Sequence, residues 1–120
     1  HRIRMEFRAV DPDLLAQALV AAGDKLVILY LWGPDCPNCE VFARAKPQLL
    51  ADLETTPGSD GLELLTLDAY AYPRVATELG IFGIPTFVFF RGGRRIGRMS
   101  EFRGKSFWLA VVREQLARTA

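Results

Sequence analysis

Residues 25–40, with the sequence KLVILYLWGPDCPNCE, hold the most informative pattern in the chain. Residues 25–32 are nearly all apolar and rich in strand-forming side chains, a pattern typical of a strand buried on both faces. Gly33 and Pro34 end this strand. Pro37 suits the first position of a helix because its missing N–H needs no partner there. The stretch therefore predicts a central strand that leads directly into a helix.

Two cysteines, Cys36 and Cys39, stand where this strand ends and the helix begins. The unpaired N–H groups of a helix N-terminus carry about half a positive charge, which stabilises a thiolate and lowers its pKa. We expect Cys36, at the exposed tip, to be the attacking nucleophile and Cys39, one turn inside, to be the resolving thiol. Their spacing also permits a disulfide. Two other interpretations stay open: two reduced thiols without redox activity, or half of a metal site.

The remaining segments alternate between strand and helix patterns. We predict that Asp11 caps the start of the first helix and that Gly23 ends it. Gly92-Gly93 predicts a hairpin turn, and Pro47 predicts a kink inside the second helix. The predicted strands span residues 5–9, 25–32, 62–68, 86–90 and 94–99. The predicted helices span residues 12–22, 37–53, 73–79 and 105–119.

This order predicts an α/β fold with a central mixed sheet of about five strands flanked by four helices. Helical crossovers early in the chain imply parallel pairing, and the hairpin near its end adds antiparallel pairing. The 120 residues suit one domain, which we place at residues 5–120. We interpret residues 1–4 as an added, non-native segment, with Met5 as the natural start.

Composition narrows the function. The net charge of +1 favours neither nucleic acid nor a membrane as a partner, and we expect a monomer. Residues 91–105 hold a basic cluster that we interpret as a solvated strand edge rather than a docking surface. The start lacks a secretory signal, which favours the cytoplasm, or the periplasm if a signal has been removed.

Cofactor binding is not expected. The chain has two cysteines and one histidine, His1, too few for a four-ligand zinc site. A purely structural disulfide is improbable in a reducing compartment, so the pair is interpreted as redox chemistry, with the Cys36–Cys39 disulfide in place of a cofactor.

Two segments, LYLWGPDCPNC at residues 29–39 and GIFGIPTFVFFRGGRRIG at residues 80–97, resemble thioredoxins, and the likeness extends over about residues 10–117. The resemblance implies a thioredoxin fold and a cis Ile84–Pro85 bond beside the cysteines. It also implies that the Ile84 backbone pairs with an extended substrate. Trp32 matches a family tryptophan that packs near the site. Purely structural roles are the alternatives: Pro85 would simply open a strand, and Trp32 would simply be an aromatic residue of the core.

Five residues that we expect to tune the site include departures from the family pattern. Pro37 and Asn38 replace the Gly-Pro of typical thioredoxins. Glutaredoxins commonly have Cys-Pro-Tyr-Cys, with a proline at the position of Pro37. Asp35 and Glu40 stand where the family often has tryptophan and lysine. Because two carboxylates oppose ionisation, we expect a Cys36 pKa that is lowered but not extreme, nearer the thioredoxin value of about 7 than the DsbA value of about 3.5.

The fifth tuning residue, Tyr30, aligns with a buried family aspartate thought to handle the proton of the second cysteine. A tyrosine is a poor base at neutral pH. Its hydroxyl either holds a water that relays the proton or simply fills space.

The leading hypothesis is a thiol–disulfide oxidoreductase acting on protein disulfides and recycled by a flavoprotein thioredoxin reductase or by glutathione. Three alternatives remain open. They are a glutathione-linked, glutaredoxin-like reductase, a redox-inactive binding or assembly module, and an iron–sulfur or metal site shared by two chains.

Overall fold

The computed structural model describes residues 5–118. The strands are β1 (Arg8–Ala9), β2 (Leu26–Trp32), β3 (Leu62–Asp68), β4 (Thr86–Arg91) and β5 (Arg94–Met99). The helices are α1 (Pro12–Ala22), α2 (Pro37–Glu54), α3 (Pro73–Glu78) and α4 (Lys105–Ala117), and a short 3-10 turn covers Ser59–Gly61. The predicted element order and the predicted fold class are both confirmed.

The strands lie in the order β1-β3-β2-β4-β5, which places β2 at the centre. β2 pairs in parallel with β3 and antiparallel with β4, so Leu29 lies between Leu65 and Val88. Every β2 residue except the half-buried Trp32 is buried, because helices cover both faces of the sheet.

Alternate side chains of β2 enter different cores, as the two-residue period of a strand requires. Tyr30 belongs to a core that includes Phe42 of α2 and Trp108 of α4. Leu29 belongs to the opposite core, which includes Leu15 of α1 and Val75 of α3. The sheet is therefore held between two apolar layers, and α2 is anchored to one of them.

The register of the sheet brings the cysteine segment and the proline segment together. Parallel β2 and β3 end at the same edge, with Trp32 opposite Asp68. Antiparallel β4 starts at that edge, with Thr86 opposite Leu31. The chain therefore leaves Trp32 for α2 at the same place where it arrives at Thr86.

Some element ends differ from the predictions. β1 is shorter than residues 5–9, because the preceding segment packs on α2 instead of extending the ladder. Met5 N–H donates to Glu54 Oε2 at 3.2 Å, and Phe7 packs against the aromatic core. α2 contains Pro47 in its interior, as predicted, and continues to Glu54, one residue beyond the predicted end. The predicted added segment, residues 1–4, and the predicted helix end at residue 119 lie outside the described residues.

No helix within residues 5–118 has both the length and the apolar character that crossing a membrane requires.

The aromatic layer under α2 generates a stability prediction. Phe42 is fully buried, and its ring centroid lies 4.7 Å from that of Tyr30 and 4.9 Å from that of Phe87. Phe42→Ala should lower the free energy of unfolding by about 3–5 kcal/mol, because it removes these contacts and leaves a cavity. The measurement is urea denaturation.

The neighbouring Val41 provides the matched control, since it is 42% exposed on the same helix. Val41→Ala should change stability by no more than about 0.5 kcal/mol. Equal effects of the two substitutions would show that α2 is not anchored through Phe42.

Candidate active site

Cys36 and Cys39 are joined by a disulfide, and their Cα atoms lie 5.2 Å apart. Cys36 is the N-cap of α2, and the Cys39 N–H donates a hydrogen bond to the Cys36 Sγ at 3.2 Å. Pro37 occupies the first turn, where no N–H is needed, and Asn38 is half-buried beside it. The first turn of the helix therefore directs an N–H group at the sulfur that we expect to be the nucleophile.

The expected exposure of Cys36 is wrong for this disulfide form. Cys36 is 8% exposed and Cys39 is 5% exposed, so both sulfurs are largely covered. The reason is the loop before β4, whose Ile84 carbonyl oxygen lies 3.8 Å from the Cys36 Sγ. The roles of nucleophile and resolving thiol stay predictions.

The Ile84–Pro85 peptide bond is cis, as the family resemblance implies. Thr86 Oγ1 donates to the Gly83 carbonyl at 2.7 Å, which ties the loop to the start of β4. Gly33 packs closely beneath it, since a Cβ at that position would lie 2.8 Å from the Ile84 Cδ1. A side chain at this position would therefore push the Ile84 Cδ1 and the Tyr70 ring aside.

Asp35 and Glu40 place two exposed carboxylates on either side of the cysteine pair. Asp35 has a positive φ of 56°, a left-handed conformation that most side chains avoid and that aspartate and asparagine tolerate. The turn from β2 into α2 therefore fixes one negative charge immediately before Cys36.

A cavity of about 400 Å³ opens beside the disulfide, under the start of α2. It is lined by Ala9, Tyr30, Trp32, Gly33, Pro34, Asp35, Cys36, Cys39, Glu40, Ala43, Lys46 and Thr66. Trp32, which the family resemblance implies to pack near the site, lies here at the cysteine pair, and a contact with substrate stays a prediction. Tyr30 stacks on Phe87 with ring centroids 5.0 Å apart, and burial raises the pKa of Tyr30 to about 12. At neutral pH Tyr30 is therefore uncharged and cannot act as a base.

An uncharged groove of about 450 Å³ lies on the other side of Ile84, between α3 and the proline loop. Two exposed aromatic side chains line it, Tyr70 at 60% and Phe82 at 92% exposure. The ring of Tyr70 also lies 3.0 Å from the position that a Gly33 Cβ would take. An apolar surface therefore continues from the disulfide through Ile84 to Phe82.

Four residues of this site were not found from the sequence: Gly33 as a close-approach position, Lys46, Tyr70 and Phe82. A signal existed only for Lys46, which follows Cys39 by seven residues and so shares its helix face. Tyr70 and Phe82 lie in loops, where no periodic pattern marks the exposed face.

Within residues 5–118, no three histidine, cysteine, aspartate or glutamate side chains group closely enough to hold a metal ion. The site shared between two chains stays an untested alternative.

The chemistry of the site follows from the two sulfurs, which are close enough to bond and are held at the start of the helix that leaves the central strand. An arrangement of this kind on this sheet defines a thiol–disulfide oxidoreductase.

Comparison with known proteins names the family. The Thioredoxin family model matches residues 13–114, so the chain belongs to the thioredoxin family. A thioredoxin of Malassezia sympodialis is 31% identical over 77 residues, which are 64% of this chain and 70% of that protein. The crystal structure of Malassezia sympodialis thioredoxin superposes with a TM-score of 0.76 at 26% identity, covering 98% of this chain and 97% of that one.

A further relative is the bifunctional thioredoxin reductase/thioredoxin of Mycobacterium leprae, 25% identical over 87 residues. The match covers 72% of this chain and 18% of that protein.

The buried Tyr30 predicts an alkaline loss of stability. The unfolded chain releases this proton near pH 10, whereas the folded chain keeps it until about pH 12. Stability therefore falls as pH rises through this window. Between pH 9 and 11, the free energy of unfolding should fall by about 1 kcal/mol less in Tyr30→Phe than in the native chain. Urea denaturation measures this difference.

Tyr70→Phe, at an exposed tyrosine, is the matched control and should leave the alkaline loss in place. If the stability of Tyr30→Phe falls with rising pH as steeply as that of the native chain, burial of the Tyr30 hydroxyl is not the cause of the alkaline loss.

The carboxylate before Cys36 predicts a shift in thiol ionisation. Asp35→Asn keeps a side chain suited to the left-handed turn and removes the charge. The Cys36 pKa of the reduced protein should fall by roughly half a unit, because less negative charge opposes the thiolate. The rate of alkylation by iodoacetamide as a function of pH measures this pKa.

Asp60→Asn is the control, since Asp60 precedes β3 and lies at the opposite edge of the sheet. It should leave the Cys36 pKa unchanged. An unchanged or higher pKa in Asp35→Asn would contradict the electrostatic argument.

Proposed function

We propose that the dithiol form of this protein reduces disulfide bonds in other proteins, in the cytoplasm, as part of electron transport that maintains redox balance. The observation that carries the proposal is the hydrogen bond from the Cys39 N–H to the Cys36 Sγ, beside the bonded Cys39 sulfur. The same N–H stabilises a Cys36 thiolate when the disulfide is open.

The reaction has two exchange steps. The Cys36 thiolate attacks one sulfur of the substrate disulfide, the substrate S–S bond breaks, and its second sulfur leaves as a thiolate that takes a proton. Cys39 then loses its proton and attacks the Cys36 Sγ, which releases the first substrate sulfur and closes the Cys36–Cys39 disulfide. Two electrons pass from the protein to the substrate.

The substrate segment binds beside Ile84. Ile84 precedes a strand, and its carbonyl lies 3.8 Å from the Cys36 Sγ, so an extended peptide that pairs with this backbone brings its own sulfur to Cys36. The neighbouring Tyr70 and Phe82 supply exposed apolar area. Substrates with apolar side chains near the attacked disulfide fit this surface.

Recycling needs an external source of two electrons, and a flavoprotein thioredoxin reductase is the proposed donor. The Mycobacterium leprae relative, whose name joins a thioredoxin reductase to a thioredoxin, supports this choice. Glutathione is the alternative donor. The basic cluster contributes little to the binding of glutathione carboxylates, because Arg95 and Arg98 already donate hydrogen bonds to the Leu79 and Gly80 carbonyls at the end of α3.

Reduction of insulin tests the proposal. The native chain with dithiothreitol should reduce insulin well above the rate of dithiothreitol alone. Cys36→Ser should lose this acceleration, because no thiolate remains at the helix N-terminus. Cys39→Ser should accumulate a mixed disulfide with the substrate, detected as added mass.

Replacing dithiothreitol with NADPH and a thioredoxin reductase, or with glutathione and glutathione reductase, separates the two recycling routes. Native protein that does not accelerate insulin reduction would contradict the proposal and favour the binding or assembly module.

The exposed Phe82 predicts a substrate effect. Phe82→Ser should raise the KM for insulin by about fivefold with little change in kcat, since it removes an aromatic contact made outside the reacting sulfurs. Its reaction with the small disulfide 5,5′-dithiobis(2-nitrobenzoate) should be unchanged.

Val20→Ser is the matched control, at a side chain 83% exposed on α1. It should leave both reactions unchanged. A native KM in Phe82→Ser would exclude the aromatic side chain from substrate binding.

A further inference from the structure

The resolving step has one requirement that neither the cysteines nor Tyr30 meets. Cys39 must lose a proton before it attacks Cys36, and its thiolate then forms inside a largely buried site. Tyr30 carries no charge at neutral pH, and the nearby carboxylates of Asp35 and Glu40 oppose a second negative charge. A cation facing the same cavity would offset this cost.

Of the residues in the range 5–118 that line the cavity of about 400 Å³ beside the disulfide, Lys46 is the one with a cationic side chain. It is half-buried, and its Nζ lies 6.0 Å from the centroid of the Phe7 ring. That ring is in turn 5.8 Å from the ring of Tyr30. Among residues 5–118, no carboxylate forms an ion pair with Lys46.

The helix geometry directs Lys46 toward Cys39. Cys39, Ala43 and Lys46 are spaced by four and three residues on α2, so they share one face of the helix. Side chains of a helix tilt toward its N-terminus, which is the direction of Cys39 from Lys46. The small Ala43 lies between them and also lines the cavity.

Within residues 5–118, the other side chains that line the cavity bring no competing cation. The cavity receives Ala9 and Thr66 from β1 and β3, and Tyr30 and Trp32 from β2. Its titratable lining therefore consists of the two cysteines, Tyr30, Asp35, Glu40 and Lys46. The volume is enough for several waters, through which a proton can leave Cys39.

We propose that Lys46 is a positioning residue for the resolving step, and that its ammonium group stabilises the Cys39 thiolate through the cavity. This inference rests on the proposed function. When Cys39 attacks the Cys36 Sγ, the mixed disulfide breaks, and the departing substrate sulfur takes up a proton from water. The proton that Cys39 released passes to water in the cavity, and Lys46 itself gives up no proton.

The experiment follows the two steps of the reaction with 5,5′-dithiobis(2-nitrobenzoate). The reduced chain releases one nitrothiobenzoate when Cys36 forms the mixed disulfide. It releases a second, in a first-order phase, when Cys39 resolves that disulfide. Stopped-flow absorbance at pH 7 gives both rates for the native chain, Lys46→Met and Lys46→Arg.

Lys46→Met should slow the second phase about threefold to tenfold at pH 7, the range expected for one charge acting across a partly hydrated cavity. The first phase should change less. The pH at which the second phase reaches half its maximum should rise, and the two proteins should converge at high pH, where Cys39 is ionised in both. Lys46→Arg should restore most of the native rate.

Lys25→Met is the matched control, because Lys25 precedes β2 and lies at the opposite edge of the sheet. It should leave both phases unchanged. A native second phase in Lys46→Met would overturn the inference, and so would equally slow phases in Lys46→Met and Lys46→Arg, since packing rather than charge would then be responsible. Failure of the native chain to release the second nitrothiobenzoate would instead reject the proposed function.

Discussion

One junction underlies the rest of the structure: the start of α2 meets the carboxyl end of the central strand, with the loop before β4 across from it. At this junction the Cys36 Sγ accepts a hydrogen bond from the Cys39 N–H and lies 3.8 Å from the Ile84 carbonyl oxygen. The first contact favours a thiolate. The second places a backbone carbonyl beside that sulfur, so the sulfur and the segment that we propose to bind substrate are positioned by the same packing.

The core maintains this junction from both sides of the sheet. Phe42 anchors α2 on the layer that contains Tyr30 and Phe87, while Ile84 packs with the opposite layer. Gly33 lets the turn after β2 pass close to Ile84, where a methyl group would force the Ile84 Cδ1 to shift. Because of this close arrangement, both cysteines are largely buried in the disulfide form, and we propose that a protein partner reaches them by way of the apolar surface around them.

Much of this architecture was predictable because it depends on local patterns. The apolar run of β2, the Asp11 cap and the Gly92-Gly93 turn each act over a few residues, and all lie where the sequence places them. The burial of Cys36 was not predictable, because it depends on the loop at Ile84, 48 residues away. The groove lined by Tyr70 and Phe82 likewise forms only when the loops before and after α3 meet at one sheet edge. Lys46 shows an intermediate case: its helix face follows from spacing, but the cavity that it faces requires the tertiary fold.

The most direct test of the account is the number of free thiols in the purified chain as the redox potential of the buffer is varied. The account predicts that both cysteines change together, from two free thiols to none, in a single two-electron transition that reverses on reduction. A thiol count that stays constant from strongly reducing to strongly oxidising buffer would contradict it.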